Sequence, residues 1–489
     1  MEHLLFSEGS NVGSDRLMVI GLDGATFRVL DGLWERGQMP CLAGMMERGE
    51  RAVLLSTVPP VTAPAWGTFL TGKDPGGHGV FDWRSPLRSA GGRKLLSGTD
   101  LHGQVLPGIC ACEAVPAVLV NIPMTYPPRE TCGVLVTGML TPSLESTFTW
   151  PPELSRDQLW RRLHYSIDVE PPSGRDDLPA FVDRLSRMTR ARTSAVLALL
   201  ERVPQWRLCC VVFVATDRLQ HHLWHLMDED HPLHRDRDFH VVAPFWSALD
   251  DCLSQLFERA GSLTPKMIVS DHGFGPLWEV VDVNAYLARA GLLCYRRGAA
   301  VRRFHLGLGI RARLGMGDAT DSPPIDWAGT AAYSGSETEE GVYINVRDRE
   351  PWGTVEEGAD YERARTEVKA ALEKLTDPDT GARLVINCFD REEIYSGPWV
   401  ERAPDLLLEL TPGYKVLNDL HRRATVLPVG KGVYGGTGRH QREGVLIVDG
   451  FGALSSAPHH IRDILPTILN VLRIPIPEGV EGRSLLVQT

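Results

Sequence analysis

Three short apolar runs, far apart along the chain, each close on an aspartate: "RLMVIGLD" (Arg16 to Asp23), "CCVVFVATD" (ending at Asp217) and "KMIVSD" (ending at Asp271). Apolar runs without polar alternation read as parallel strands buried on both faces. "AVPAVLVNIP" and "GVLIVDG" (Gly444 to Gly450) read as further strands. Helical stretches lie between them. One runs through Leu30 to Met46, one has amphipathic spacing from Tyr361 to Leu375, and a C-terminal "HHIRDILPTILNVL" is broken or re-initiated at Pro466. This alternation implies an α/β fold, with a mostly parallel central sheet and helices on both faces. In such a sheet the strand C-termini share one edge, and ligands bind there. Three carboxylates distant in sequence are therefore expected to converge.

With 489 residues, 43% of them hydrophobic, the chain can bury a large core. Residues 16–140, 201–295 and 346–489 are read as that core. Two stretches interrupt its rhythm and are read as inserted cap elements. Residues 141–200 are rich in Pro, Trp and Arg, and residues 296–345 open with a basic run, Arg296 to Arg313, that reads as a solvated face. Residues 1–15 are expected to be loosely ordered. The 51 Lys and Arg against 62 Asp and Glu leave a net charge of −11, which argues against a nucleic-acid polymer as partner. A small anionic substrate stays open, because metal ions reverse the local sign. The N-terminus lacks a basic stretch followed by an apolar one, and no apolar run is long enough to cross a bilayer. The nine cysteines are scattered and odd in number, as expected of reduced thiols in a cytoplasmic protein. Cys110 and Cys112 read as small buried residues.

Two of the strand-end aspartates carry imidazoles. His272 adjoins Asp271, and His221 lies four residues after Asp217, one helical turn on. A single Asp at a strand end is an ordinary turn residue; the joint pattern is what points to a site. Asp and His suit zinc or other borderline divalent ions, and two such ions about 3.5–4 Å apart can clamp an in-line displacement at phosphorus. Thr62 precedes Pro64 at an expected loop-to-helix junction, where free N–H groups and the helix dipole favour an anion. A hydroxyl placed there and activated by a metal can attack phosphate. Asn121 stands at a strand end on the same edge and could touch substrate, though a turn role suits it too.

In order, the chain presents Asp23, then Thr62 with Pro64, Thr71-Gly72 and His78-Gly79, then Asp217 and His221, then Asp271-His272-Gly273, and finally His440 in "GGTGRHQREG". This ordered set resembles the type I phosphodiesterase/nucleotide pyrophosphatase family of the alkaline phosphatase superfamily, from about Leu17 to the C-terminus. The resemblance implies an alkaline-phosphatase-like fold and two Zn2+ ions, with Mn2+ as another suitable ion. One ion would be held by Asp217, His221 and His440, and the other by Asp23, Asp271 and His272 with the Thr62 oxygen. It also implies hydrolysis of a small phosphorylated substrate through a covalent phospho-threonine at Thr62.

Three positions depart from the family pattern. Val61 and Ala63 flank Thr62 where nucleotide-cleaving members place Lys and Phe, and Trp83 replaces an Asn twenty-one residues after the Thr. Trp83 is thus the expected point of substrate selectivity. The alternatives are a phosphomonoesterase or phosphonate hydrolase on the same cradle, and a non-catalytic binding protein on the same fold. A sulfatase or a phosphomutase would use a nucleophile other than threonine. Trp66 and Trp224 are read as core or as an apolar wall, His222 and His225 as outside the ligand set, and His78 as loop packing.

Overall fold

A computed structural model of the chain describes residues 15–86, 93–172, 177–296, 325–336, 338–417, 426–428, 436–456 and 458–487. Most of the basic run from Arg296 to Arg313, and all of the N-terminal stretch but residue 15, lie outside the described residues. The chain divides into two compact units: residues 1–74, 97–274 and 440–489, and residues 75–96 with 275–439.

The first unit is built on nine strands: β1 (Leu17–Leu22), β2 (Glu50–Leu55), β3 (Ala117–Ile122), β4 (Gly133–Thr137), β5 (Thr149–Trp150), β6 (Leu208–Phe213), β7 (Lys266–Val269), β8 (Glu443–Asp449) and β9 (His459–His460). Their order across the sheet is β9-β2-β8-β7-β1-β6-β3-β4-β5. Every residue of β1, β3 and β6 is buried, as expected of central parallel strands. The pairs β1–β6, β1–β7, β3–β6 and β3–β4 are all parallel. The fold is therefore mixed α/β with a mostly parallel central sheet. The strand at Gly444 to Gly450 departs from that direction, because β8 runs antiparallel to both β7 and β2. Its starting end, not its finishing end, lies at the rim where the parallel strands stop.

The helix expected through Leu30 to Met46 is two helices, α1 (Phe27–Glu35) and α2 (Pro40–Arg48). Gly37 is left-handed (φ 63°), and the N–H of Gln38 closes back on the Leu33 carbonyl, which ends the first helix. Pro40 then starts the second, where its missing N–H costs nothing. Helix α3 spans Thr62–Thr71, α4 Leu178–Arg202, α5 Ala215–Leu223, α6 Ala243–Ala260 and α7 Ile464–Val471. Pro466 sits in the first turn of α7, after a short 3₁₀ turn at Ile461–Asp463. The expected C-terminal helix is thus re-initiated rather than continuous. Helix α4 comes from the 141–200 stretch and packs on α6 and on β3 and β6. The amphipathic helix at Tyr361 to Leu375 is present as Ala359–Leu372.

The second unit holds an antiparallel sheet in the order Val385–Asp390, Leu406–Leu410, Gly341–Ile344, Ala332–Tyr333. A further strand, Gly273–Asp282, pairs with Gly413–Leu417 in parallel and with Val426–Pro428 antiparallel. Val368 and Leu372 of the amphipathic helix join Tyr343, Leu384 and Leu408 in one apolar cluster. All nine cysteines are free; Cys110 is buried, but Cys112 is exposed at the end of its short helix, contrary to the expectation of burial. Among the described residues no helix is long and apolar enough to cross a membrane.

Candidate metal centre and nucleophile

Each of the three aspartates reaches the same rim by a different local route. Asp23 directly follows β1. The next residue, Gly24, turns with φ 69°, and a Cβ there would lie 2.8 Å from the Phe274 ring. Asp217 is not at the end of β6, as the sequence pattern had it. The strand stops at Phe213, Val214 is already helical, and Asp217 falls in the first turn of α5. That places Asp217 and His221 on one helix face. Asp271 and His272 occupy the tight connection between β7 and the strand starting at Gly273. His440 stands three residues before β8, and the antiparallel direction of β8 brings it to this edge.

Two groups of three result: Asp217, His221 and His440, and Asp23, Asp271 and His272. In the first, Asp217 Oδ1 is 3.3 Å from His221 Nε2 and 3.2 Å from His440 Nε2, and those two nitrogens are 2.9 Å apart. In the second, His272 Nε2 is 3.3 Å from Asp271 Oδ2 and 3.7 Å from Asp23 Oδ1. The groups abut, because the His272 and His440 rings stack with centroids 3.6 Å apart. Thr62 is the first residue of α3, and its Oγ1 lies 3.3 Å from His272 Nε2. No side chain caps this helix; Pro64 has no N–H and the Ala65 N–H donates to the Val61 carbonyl, so the N–H groups of Thr62 and Ala63 are the ones available to an anion.

The three carboxylates share one pattern. Asp23 Oδ2 accepts from the Trp66 indole at 3.1 Å, Asp271 Oδ1 from the Gly24 backbone N–H at 3.1 Å, and Asp217 Oδ2 from Arg218 Nη1 at 3.1 Å. The other oxygen of each, Asp23 Oδ1, Asp271 Oδ2 and Asp217 Oδ1, is buried without a hydrogen-bond partner. Two of the imidazoles they face are of no help. His272 Nδ1 donates to the Gly273 carbonyl at 3.0 Å and His440 Nδ1 to the Pro60 carbonyl at 2.8 Å, which leaves Nε2 of each neutral ring a lone pair. Lone pairs thus face lone pairs in a buried site, an arrangement that a cation resolves. The donor set, carboxylate oxygen and imidazole nitrogen, fits zinc.

Burial, with the neighbouring charges of Asp271 and Asp217, pushes the Asp23 carboxyl well above its usual range; burial does the same to Asp271. Burial, aided by His440, holds the His272 imidazole well below its usual value. Asp217 goes the other way. Burial opposes its ionisation, but His221 and the Arg218 guanidinium hold it well below the usual carboxylate range.

The other expected residues have surroundings of their own. Asn121 is fully buried within β3 with φ 60°, and its Nδ2 donates to the Val212 carbonyl of β6 at 3.2 Å. Trp66 and Trp224 are core residues with polar tasks: Trp66 on Asp23, and Trp224 donating to Asp228 at 2.6 Å. His222 packs edge-on against Phe181, and His78 is buried in the short helix Pro75–His78. Trp83 is half-buried in the second unit, beside a buried Asp82 that accepts from Thr338 at 2.5 Å. Sequence reasoning missed Phe274, whose ring meets His221, His272 and His440. It also missed Arg218, although an arginine next to a ligand-type aspartate was a signal in plain sight.

The sequence model of the type I phosphodiesterase / nucleotide pyrophosphatase family matches residues 17–440. The chain belongs to this family. The match covers every residue of both groups and Thr62. A search of the curated proteins returns no match to this type I phosphodiesterase family member. Its fold is similar to that of phosphonoacetate hydrolase from Sinorhizobium meliloti 1021 in complex with phosphonoformate. The TM-score is 0.61 at 17% identity, over 94% of this chain and 95% of that one. It is also similar to the alkaline phosphatase PafA (TM-score 0.56, 13% identity, 96% and 98% of the chains). A third similar structure is human ectonucleotide pyrophosphatase/phosphodiesterase 5 (0.50, 12%, 95% and 96%). These likenesses make the family member's fold alkaline-phosphatase-like.

Proposed function

We propose that the protein is a zinc-dependent hydrolase of phosphodiesters or phosphoanhydrides with Thr62 as nucleophile. The observation that carries this reading is the trio of bare buried carboxylate oxygens aimed at imidazole lone pairs, with a threonine hydroxyl at a helix N-terminus beside them. Asp217, His221 and His440 would hold one ion; Asp23, Asp271 and His272 would hold the other, next to the Thr62 oxygen. When bound, the ions offset charge on the phosphoryl oxygens and make the threonine hydroxyl easier to ionise. Thr62 Oγ1 attacks phosphorus while the bond to the leaving oxygen breaks, and the leaving oxygen takes up a proton. The N–H groups of Thr62 and Ala63 at the start of α3 donate to the phosphoryl oxygens during this step. Water then attacks the same phosphorus and displaces the Thr62 oxygen, which recovers its proton. The substrate is taken to be small, since a chain of net charge −11 does not suit a nucleic-acid polymer. The nine free thiols support a cytoplasmic setting.

Replacing Thr62 by Ala is expected to cut hydrolysis of an aryl phosphodiester by roughly a thousandfold or more, with the zinc content unchanged. Undiminished turnover would defeat the assignment. A second reading, hydrolysis of a monoester or a phosphonate, is favoured by one feature. Val61 and Ala63, the buried neighbours of Thr62, are apolar and offer no side-chain grip on a nucleotide. Relative rates on mono- and diester aryl phosphates separate the two readings.

A further inference from the structure

We propose that Arg218 and Asp168 are a positioning pair that keeps Asp217 a one-oxygen ligand; the inference rests on reading the Asp217 group as a metal site. Arg218 Nη1 donates to Asp217 Oδ2 at 3.1 Å. Its other edge grips Asp168: Nε lies 3.0 Å from Oδ1 and Nη2 lies 2.5 Å from Oδ2, the fork-on-fork geometry of a strong arginine–carboxylate pair. Nη2 also approaches Met139 Sδ at 3.8 Å. Most of the five guanidinium donors are thus committed to protein acceptors. A group so engaged holds a neighbour in place; it has little left for a substrate.

Asp168 is itself held. Its Oδ1 accepts from the Val169 N–H at 2.9 Å. The two residues before it are tied through their carbonyls to Arg192 Nη2, at 3.1 Å for Ser166 and 2.8 Å for Ile167. Arg192 is fully buried in α4, and its Nη1 donates to the Val212 carbonyl in β6 at 3.2 Å. The strand that leads into Asp217 and the loop that carries Asp168 therefore share one anchor. With Oδ2 occupied by Arg218, only the bare Oδ1 of Asp217 faces His221 and His440. Metal-ligating carboxylates are oriented by such outer partners, and losing one costs about 10–100-fold in metal affinity or activity.

The test uses the full-length protein with Arg218→Gln, Arg218→Lys and Asp168→Asn. Zinc affinity is measured by competition with a chromophoric chelator, and kcat and KM are measured with an aryl phosphodiester at limiting and excess zinc. Arg218→Gln is expected to weaken one of two zinc sites about 10–100-fold and to leave the other intact. Excess zinc should restore kcat, with KM unmoved. Asp168→Asn should shift the same site in the same direction by less, and Arg218→Lys should fall between. Asp168→Asn is isosteric, so it serves as the readout if Arg218→Gln misfolds by circular dichroism. Unchanged affinity at both sites overturns the proposal. So does a raised KM with both affinities intact, which would place the guanidinium on the substrate instead. Wild-type protein that takes up no zinc overturns the metal reading itself, and this proposal with it.

Discussion

At the scale of single residues, the centre rests on unequal treatment of the two oxygens of each carboxylate. Three donors of different kinds, an indole, a backbone N–H and a guanidinium, each take one oxygen and leave its twin bare. A hydrogen bond to a charged acceptor contributes about 1.5–3 kcal/mol. Trp66→Phe keeps the ring packing but removes the donor. It is expected to weaken zinc binding at the Asp23 group by about tenfold or more, leaving the Asp217 group unaffected, as a chelator titration would show. The residues with bare oxygens were legible in the sequence, since Asp and His at the ends of apolar runs are conspicuous. Two of their three donors were not. Trp66 lies 43 positions from Asp23, and Gly24 lies 247 from Asp271. Nothing local marks an indole as a partner rather than as core.

At the scale of elements, the sheet edge was correctly anticipated, but two of the routes to it were not. Asp217 belongs to a helix that starts almost without a loop after β6, and the extra turn is what brings His221 into register with it. The run Gly444 to Gly450 is apolar whichever way it points, so hydrophobic pattern could not show that β8 is antiparallel. Helix α3 is pinned to the sheet at one close approach. A Cβ on Gly21 would lie 2.5 Å from the Trp66 ring and 2.8 Å from Val212 Cγ2, and neither side chain has room to yield. Gly21→Ala is therefore expected to destabilise the protein by about 1–3 kcal/mol in urea unfolding. It should also disturb the Trp66–Asp23 contact and so weaken metal binding. A Gly21→Ala protein as stable as the parent would mean that α3 does not press on β1 as described.

At the scale of the whole molecule, Thr62 and the two groups of ligand-type residues fall in the first unit, while the second carries a buried charge cluster of its own. There Glu339 Oε1 accepts from Arg93 at 2.7 Å and from Tyr343 at 2.6 Å, and Oε2 is buried without a partner. Burial, reinforced by Asp82 and opposed by Arg93, pushes the Glu339 carboxyl up to about 7. An acid raised by folding binds its proton more tightly in the native state, so its effect on stability is unfavourable as pH rises from about 4.5 to about 7. The loss is complete above that range and amounts to roughly 3 kcal/mol at most. Glu339→Gln should remove this slope: compared with the parent, its relative stability in urea should improve between pH 5 and pH 8. Parallel slopes for the two proteins would show that Glu339 ionises freely. No periodicity or motif announced this cluster, because its members become neighbours only through folding of the second unit.

The reversed direction of β8 also bears on how the protein comes to life on the ribosome. His440 stands just before the strand that joins the sheet between β2 and β7, and it is the last member of the two groups to be synthesised. A nascent chain that has emerged only as far as His272 already owns Asp23, Asp271 and His272 but lacks a third partner for Asp217 and His221. A chain cut before His440 is therefore expected to lack one of the three ligand-type residues of that group.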